Sequence, residues 1–175
     1  MTSESSVIPG AEGAGLAVFN ALPDDQARDA LLACCRAARW ADELTAGRPY
    51  PSLATLRARA AEALTDADVT EALAGHPRIG RAPTAGHSSF SRSEQSGVAS
   101  ADDQVRAELA AGNQAYEDRF GHIYLVCATG RSARELLGIL RGRLGNDPDA
   151  ERGVVRAELI KINDLRLARL TGETS

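Results

Sequence analysis

The stretch Ala74–Pro83, AGHPRIGRAP, sets one imidazole and two guanidinium groups among two prolines. Pro77 restricts the backbone of His76 to extended conformations, which fixes the direction of the imidazole ring. The ring also follows the predicted end of a helix, where the helix dipole favours a protonated imidazole. A histidine held in this way is the usual group for proton transfer near neutral pH. The stretch therefore indicates an acid–base residue at His76, although a lone histidine in a turn can also be purely structural.

A second polar stretch, SRSEQSG at residues 91–97, follows downstream. In a helix, residues three and four positions apart are neighbours, so Ser91, Glu94 and Gln95 would share one face. That face would offer a ligand a hydroxyl, a carboxylate and an amide. The same spacing fits a capping box, in which Ser91 and Glu94 exchange hydrogen bonds with the backbone at a helix start. The two interpretations are compatible, and both stay open.

Three arginines are candidates for binding an anionic ligand, because a guanidinium group can hold a carboxylate through two parallel hydrogen bonds. They are Arg78, Arg81 and Arg166. The alternative for each is an arginine whose charge is simply solvated at the surface.

Metal and cofactor sites are not indicated by the remaining residues. The three histidines, at positions 76, 87 and 122, lack the short spacings of metal-binding motifs. The three cysteines, at positions 34, 35 and 127, form no CxxC pair, and their odd number does not fit a disulfide framework. We therefore expect small buried cysteines. Glycine-rich phosphate loops and the GxSxG nucleophile motif are missing too. The sequence predicts chemistry without a metal ion or an organic cofactor.

The bulk composition is that of a globular chain with one domain. Its 175 residues are 43% hydrophobic and 25% charged, with a net charge of −4 at pH 7. This acidic balance, without a basic cluster, does not fit a nucleic-acid-binding protein. No apolar run is long enough to span a membrane and the N-terminus does not read as a signal peptide, so we expect a cytoplasmic protein. Residues 1–15 are predicted to be a flexible tail before a domain at 16–175.

The elements that must hold the candidate residues are predicted to be helices, about seven or eight of them in an all-α bundle. Capping signals divide the chain into these helices: Ser52, Thr65 with Asp68, Ser132 with Glu135, and Asp147 with Pro148. One helix is predicted to end at Gly75, directly before His76. The irregular stretch from Gly75 to Gly97 is long for a connection inside a domain, and such loops are often functional.

The stretch HIYLVCA at residues 122–128 departs from the helical pattern. Its residues favour a strand, but the chain contains no obvious second strand to pair with it. We therefore predict an extended segment buried between helices. The last predicted helix follows Pro148 and carries Arg166.

Taken together, these stretches resemble the OHCU decarboxylase family. OHCU is 2-oxo-4-hydroxy-4-carboxy-5-ureidoimidazoline, an intermediate of urate breakdown. The resemblance is carried by HPRIG (76–80), SRSEQSGV (91–98), YEDRFGHIYLVCATGR (116–131) and ELIKINDLRLARL (158–170). It extends upstream through FNALP, CCRAARWADEL and RPYPS, and covers about residues 16–170. Any one of these motifs alone would be weak, whereas their combination at these separations is specific.

The resemblance implies an all-α homodimer that decarboxylates OHCU to (S)-allantoin without a cofactor. It implies that His76 is the proton donor and that Glu94 holds His76 or the ureido nitrogens. The substrate-binding positions that it implies are Pro77, Ser91, Gln95, the extended residues Tyr124, Leu125, Val126, Cys127 and Ala128, and Arg166. Tyr124 stands where phenylalanine is common in the family. Whether Arg78 or Arg166 would bind the substrate carboxylate stays open.

Two other functions fit parts of the sequence. A non-enzymatic helical module for a ureide or purine-like ligand would keep Arg166 and the extended segment, but would not need His76. A metal hydrolase built on the three histidines would need a bound metal ion. Measuring turnover by the His76→Ala variant distinguishes the binding module from an enzyme. Metal analysis of the purified protein tests the metal hydrolase.

Overall fold

The architecture is a bundle of helices in a computed structural model that describes residues 15–80 and 103–173. In these ranges the chain forms eight helices and no strand, which confirms the predicted all-α fold. The helices are α1 (Leu16–Ala21), α2 (Asp24–Cys34), α3 (Ala38–Ala46), α4 (Leu53–Ala63), α5 (Asp66–Ala74), α6 (Asp103–Phe120), α7 (Ala133–Arg143) and α8 (Pro148–Leu170). No helix in the described part of the chain is long and apolar enough to cross a membrane.

Four helices, α4, α5, α7 and α8, begin at the capping residues that the sequence indicated. Ser52 accepts a hydrogen bond from the Thr55 N–H at the start of α4. Capping boxes start α5 at Thr65 and α7 at Ser132, and Asp147 caps α8 directly before Pro148. Each cap gives a partner to a backbone N–H that the first turn of a helix leaves unpaired. The capping box at Thr65 begins the helix that leads directly to His76.

The apolar side chains form two hydrophobic clusters. The first cluster contains residues of the first five helices, α1 through α5, and of α8. Trp40, Leu44 and Leu56 are completely buried in it. The second cluster joins α6 to α7 and includes Leu109 and Leu140. The last helix packs in the first cluster through residues such as Leu159, Ile162 and Leu167.

Residues 123–128 form the predicted extended segment and lie between the two clusters. Successive side chains of an extended chain point in opposite directions, so alternate residues can fill two different cores. The odd-numbered residues of the segment pack in the first cluster: Ile123, Leu125 and Cys127. The even-numbered residues pack in the second cluster: Tyr124, Val126 and Ala128. All six side chains are buried, so the segment joins the two halves of the molecule.

A buried ion pair fixes the second cluster to the start of α8. The Nε of Arg143 donates to the Glu151 carboxylate over 2.7 Å, and the hydroxyl of Tyr116 donates to the same carboxylate. Asn146 donates to the other carboxylate oxygen over 2.7 Å. Burial raises the pKa of Glu151, but these hydrogen bonds and the Arg143 charge outweigh it and hold the pKa below its ordinary value. Loss of either charge would leave the other buried and uncompensated, at a cost of about 3–5 kcal/mol.

Candidate active site

His76 lies in the turn that follows α5, where its backbone N–H donates to the Leu73 carbonyl over 3.2 Å. Its Nδ1 is 3.3 Å from the Pro77 carbonyl, and its Nε2 is 3.3 Å from a guanidinium nitrogen of Arg166. A guanidinium group can only donate, so Nε2 accepts and Nδ1 carries the proton.

Arg166 projects from α8 and is only 4% exposed. One of its terminal nitrogens donates to the carbonyl of Cys34 over 2.7 Å, and the other faces His76. Cys34 is the last residue of α2, so its carbonyl lies at the negative end of that helix. A cation is favoured there, and the bond fixes the plane of the guanidinium. The structure therefore joins two candidate residues that are 90 positions apart in the sequence.

The turn that carries His76 is attached to α6 by two side chains. The Nδ2 of Asn113 donates to the Ile79 carbonyl over 2.7 Å. Glu117 accepts two hydrogen bonds from the Arg78 guanidinium, over 2.5 and 2.8 Å. Asn113 and Glu117 are four residues apart and share one face of the helix. Sequence reasoning missed both residues, and their spacing within a long helix was the available signal. Arg78, one of the three arginine candidates, is thus engaged in an ion pair.

The extended segment presents its backbone differently at its two edges. In an extended chain, the N–H and C=O of one residue point to the same edge, and those of the next residue point to the other. On one edge, the Leu125 carbonyl accepts from Arg143 over 2.6 Å, and the Cys127 N–H donates to Glu158 over 2.8 Å. On the other edge, neither backbone group of Val126 has a hydrogen-bond partner among the described residues. Val126 is 3% exposed, so these groups are buried.

The side chain of Tyr124 is committed to the second cluster. Its hydroxyl donates to the Leu136 carbonyl over 3.1 Å, and its ring packs edge-on against Tyr116. Burial is the main cause that raises the pKa of the Tyr124 phenol above its ordinary value, although the nearby charge of Arg143 lowers it. The residues predicted to line the site between 124 and 128 have buried side chains, so it is their backbone that can serve a ligand.

His122 packs against the rings of Tyr116 and Phe120, with its Nδ1 3.1 Å from the Ile123 carbonyl. Five candidates from the sequence lie outside the described residues: Arg81, His87, Ser91, Glu94 and Gln95. Among the residues that are described, no group of three or more His, Cys, Asp or Glu side chains could hold a metal ion.

The cysteines are buried, as the sequence predicted. Burial raises the pKa of the Cys35 thiol to about 11, although a hydrogen bond with Asn163 and the charge of Arg166 lower it. Such a thiol stays protonated at neutral pH and is a poor nucleophile. Cys35 is therefore a packing residue beside Arg166.

The model of the OHCU decarboxylase family matches residues 20–168. Among curated proteins, the uric acid degradation bifunctional protein TTL of Arabidopsis thaliana is 34% identical over 145 residues, which are 78% of this chain and 45% of that protein. The 2-oxo-4-hydroxy-4-carboxy-5-ureidoimidazoline decarboxylase of Amia calva is 37% identical over 73 residues, 42% of each chain. The matched region spans less than half the length of these relatives.

Solved structures give the same relationship at the level of the fold. A crystal structure of OHCU decarboxylase in the presence of (S)-allantoin superposes with a TM-score of 0.72 and 28% identity, covering 86% of this chain and 99% of that one. A crystal structure of (S)-allantoin synthase gives a TM-score of 0.70 at 18% identity, over 90% of this chain and 53% of that one. The second likeness shows a common fold only.

Proposed function

This chain belongs to the OHCU decarboxylase family, and we propose that it is an enzyme that decarboxylates OHCU to (S)-allantoin in urate breakdown. The observation that carries the proposal is the contact between His76 and Arg166, over 3.3 Å. It places a group that can accept and return a proton beside a buried cation, as an anionic substrate with a transferable proton requires.

The substrate can supply its own electron sink. The carbon that bears the carboxylate also bears a hydroxyl, and it adjoins a C=N bond. When CO2 leaves, the electron pair of the broken C–C bond forms a C=C bond and displaces the C=N electrons onto nitrogen, which takes a proton. The hydroxyl then becomes a carbonyl as its proton leaves, and a proton adds to the ureido-bearing carbon. The protein therefore has to orient the substrate and deliver one proton to one face.

His76 is the proposed carrier of that proton. In the free protein its Nε2 accepts from Arg166. An anionic substrate that takes this guanidinium nitrogen would release Nε2, which could then accept the hydroxyl proton and deliver it to the ureido-bearing carbon. Arg166 is the better of the two candidates for the substrate carboxylate, because its guanidinium contacts His76, the proposed proton carrier. The bond between Arg166 and the Cys34 carbonyl would keep the guanidinium oriented throughout.

The backbone of the extended segment is the proposed recognition element for the ureido and lactam groups. Buried N–H and C=O groups are rarely left without partners in proteins. The N–H and C=O of Val126 point to one edge and would match a ligand that offers both an acceptor and a donor. Family resemblance adds Pro77, Ser91 and Gln95 as substrate contacts and Glu94 as the partner of His76 or of the ureido nitrogens.

The proposal extends to the assembly. On family resemblance we expect a cytoplasmic homodimer that works without a cofactor. Light scattering across micromolar concentrations should give the mass of a dimer, and a monomeric mass throughout would contradict that part. Full activity that is lost to a chelator and restored by a divalent metal would contradict the cofactor-free mechanism and favour a metal enzyme.

The decisive experiment is the rate at which freshly generated OHCU disappears. The wild-type protein at catalytic concentration should accelerate the decay through many turnovers, whereas His76→Ala should not. A non-enzymatic ureide-binding module would bind (S)-allantoin in calorimetry but leave the decay of excess OHCU unchanged. That outcome would replace the enzyme proposal with the binding module.

A further inference from the structure

Glu158 is a buried carboxylate that the proposed chemistry does not use. It lies on α8 two helical turns before Arg166 and is 8% exposed. One carboxylate oxygen accepts the Cys127 N–H over 2.8 Å, and the other accepts from Lys161 over 2.6 Å. Burial raises the pKa of Glu158, but the bonds from Lys161 and Cys127 hold it below its ordinary value. The side chain is therefore an anionic clamp on the backbone of the extended segment.

The clamp acts on a segment that pairs with no strand in the described part of the chain. An isolated extended chain exposes a row of hydrogen-bonding groups on each edge, and nothing in its own geometry fixes its rotation about its axis. Glu158 from α8 and Arg143 from α7 bind groups on the same edge, at Cys127 and Leu125. Two fixed points on one edge set the direction of the opposite edge, to which the N–H and C=O of Val126 belong.

We propose that Glu158 is a positioning residue for substrate binding: by holding the Cys127 N–H, it keeps the Val126 edge of the extended segment turned toward the substrate. The inference rests on the proposed function, since it assigns a cause to the orientation of a proposed substrate contact. Glu158 acts through the backbone and does not touch the substrate. Its length therefore matters more than its charge.

Two conservative variants separate length from charge. Glu158→Asp keeps the charge and the attraction to Lys161, but withdraws the carboxylate by about 1.5 Å, beyond hydrogen-bond reach of the Cys127 N–H. Glu158→Gln keeps the reach and a carbonyl oxygen as acceptor, but removes the charge. A misdirected binding edge weakens substrate binding more than the chemical step. We expect KM for OHCU to rise about tenfold in Glu158→Asp with kcat within about threefold of wild type, and KM within about threefold of wild type in Glu158→Gln.

Two further variants control for the ion pair and for stability. Lys161→Met removes the other partner of Glu158 and should leave KM near wild type, because the bond to Cys127 remains. Ser52→Ala removes the cap of α4 and should lower stability by about 0.5–2 kcal/mol without changing KM. Together they show whether a rise in KM follows from loss of the ion pair or from general destabilisation.

The KM values of the two Glu158 variants decide whether the inference holds. A raised KM in Glu158→Asp alone supports the inference. Unchanged KM in both variants, equal rises in both, or a rise in Glu158→Gln alone overturns it. Amide exchange of Cys127 by NMR gives a readout apart from activity, and it should accelerate only in Glu158→Asp. If the wild-type protein does not turn over OHCU, the proposed function fails and the exchange data still test the clamp.

Discussion

His76 has each ring nitrogen close to a group of the protein itself, the Pro77 carbonyl and the Arg166 guanidinium. His76→Asn keeps a hydrogen-bonding side chain of similar reach but cannot carry the proton. We expect catalysis to fall by roughly a hundred- to ten-thousand-fold, as for the loss of an acid–base group, while binding weakens much less. Steady-state kinetics with OHCU and calorimetry with (S)-allantoin measure the two effects separately.

The matched control is His122→Asn, because His122 packs among aromatic rings and has no role in the proposed mechanism. Its activity should stay near wild type. A His76→Asn variant of near-normal rate would mean that His76 is only a turn residue.

Cys35 provides a second test at the residue scale. Because burial raises its pKa to about 11, the thiol should be almost entirely protonated at pH 8. Since Cys35 is also buried, alkylating reagents should not reach it in the native protein. Iodoacetamide at that pH should modify Cys35 in guanidinium-unfolded protein and leave it unmodified in the native protein, as read by peptide mass mapping. Modification at similar rates in both states would show that Cys35 is accessible in the native protein and is not buried beside Arg166.

Individual site residues could be predicted from the sequence, but their contacts could not. His76 was found because Pro77 restricts it, and Arg166 from the resemblance of the last helix to a family motif. Their contact spans 90 positions, and local patterns of helix and turn residues carry no signal across such a distance. The bond from Asn113 to the Ile79 carbonyl was missed for the same reason.

At the scale of elements, the site depends on how the His76 turn is attached to α6. Asn113→Leu should leave the buried Ile79 carbonyl without its partner and cost about 1–3 kcal/mol in the free energy of unfolding. The loosened turn should also lower kcat, because the imidazole is no longer held in place. Denaturant unfolding and kinetics with OHCU measure the two effects.

The neighbouring Gln114→Leu is the control for that variant. Gln114 is exposed and bonds only to Asp118 on the same helix, so its replacement should change stability by less than about 0.5 kcal/mol. If Asn113→Leu changes stability and kcat as little as Gln114→Leu does, the bond from Asn113 to the His76 turn contributes neither to stability nor to catalysis.

Helix starts were predictable because capping is local chemistry. Thr65 with Asp68, and Ser132 with Glu135, begin α5 and α7 as their spacing indicated. The extended segment was also predictable, because its strand-like residues had no partner strand. Its division between two clusters was not, since the alternation of side chains does not reveal which helices lie on either side.

At the scale of the whole molecule, buried carboxylates make stability depend on pH. Burial raises the pKa values of Asp68, Glu151 and Glu158, but hydrogen bonds to their charged forms outweigh burial and lower all three. Groups with lowered pKa values stabilise the fold fully above their unfolded values of about 4. That stability is lost as the pH falls through the folded pKa values, because protonation breaks the bonds.

We therefore expect the free energy of unfolding to fall steeply as the pH drops below about 4.5, and denaturant unfolding at a series of pH values measures it. Asp164, whose pKa is raised by burial, acts in the opposite direction and offsets part of the loss. Glu158→Gln should make the acid dependence shallower. An acid dependence identical to that of wild type in this variant would show that the Glu158 carboxylate does not contribute to it.

The most direct test of the account is the handedness of the allantoin that is formed. OHCU decays spontaneously to racemic allantoin, so circular dichroism of the product reports whether a protein group delivers the proton to one face. The wild-type protein should give (S)-allantoin in large excess, and His76→Asn should give a product close to the racemate. A racemic product from the wild-type protein would contradict the proposed activity, and a persistent (S) excess from His76→Asn would contradict the role of His76 as proton donor.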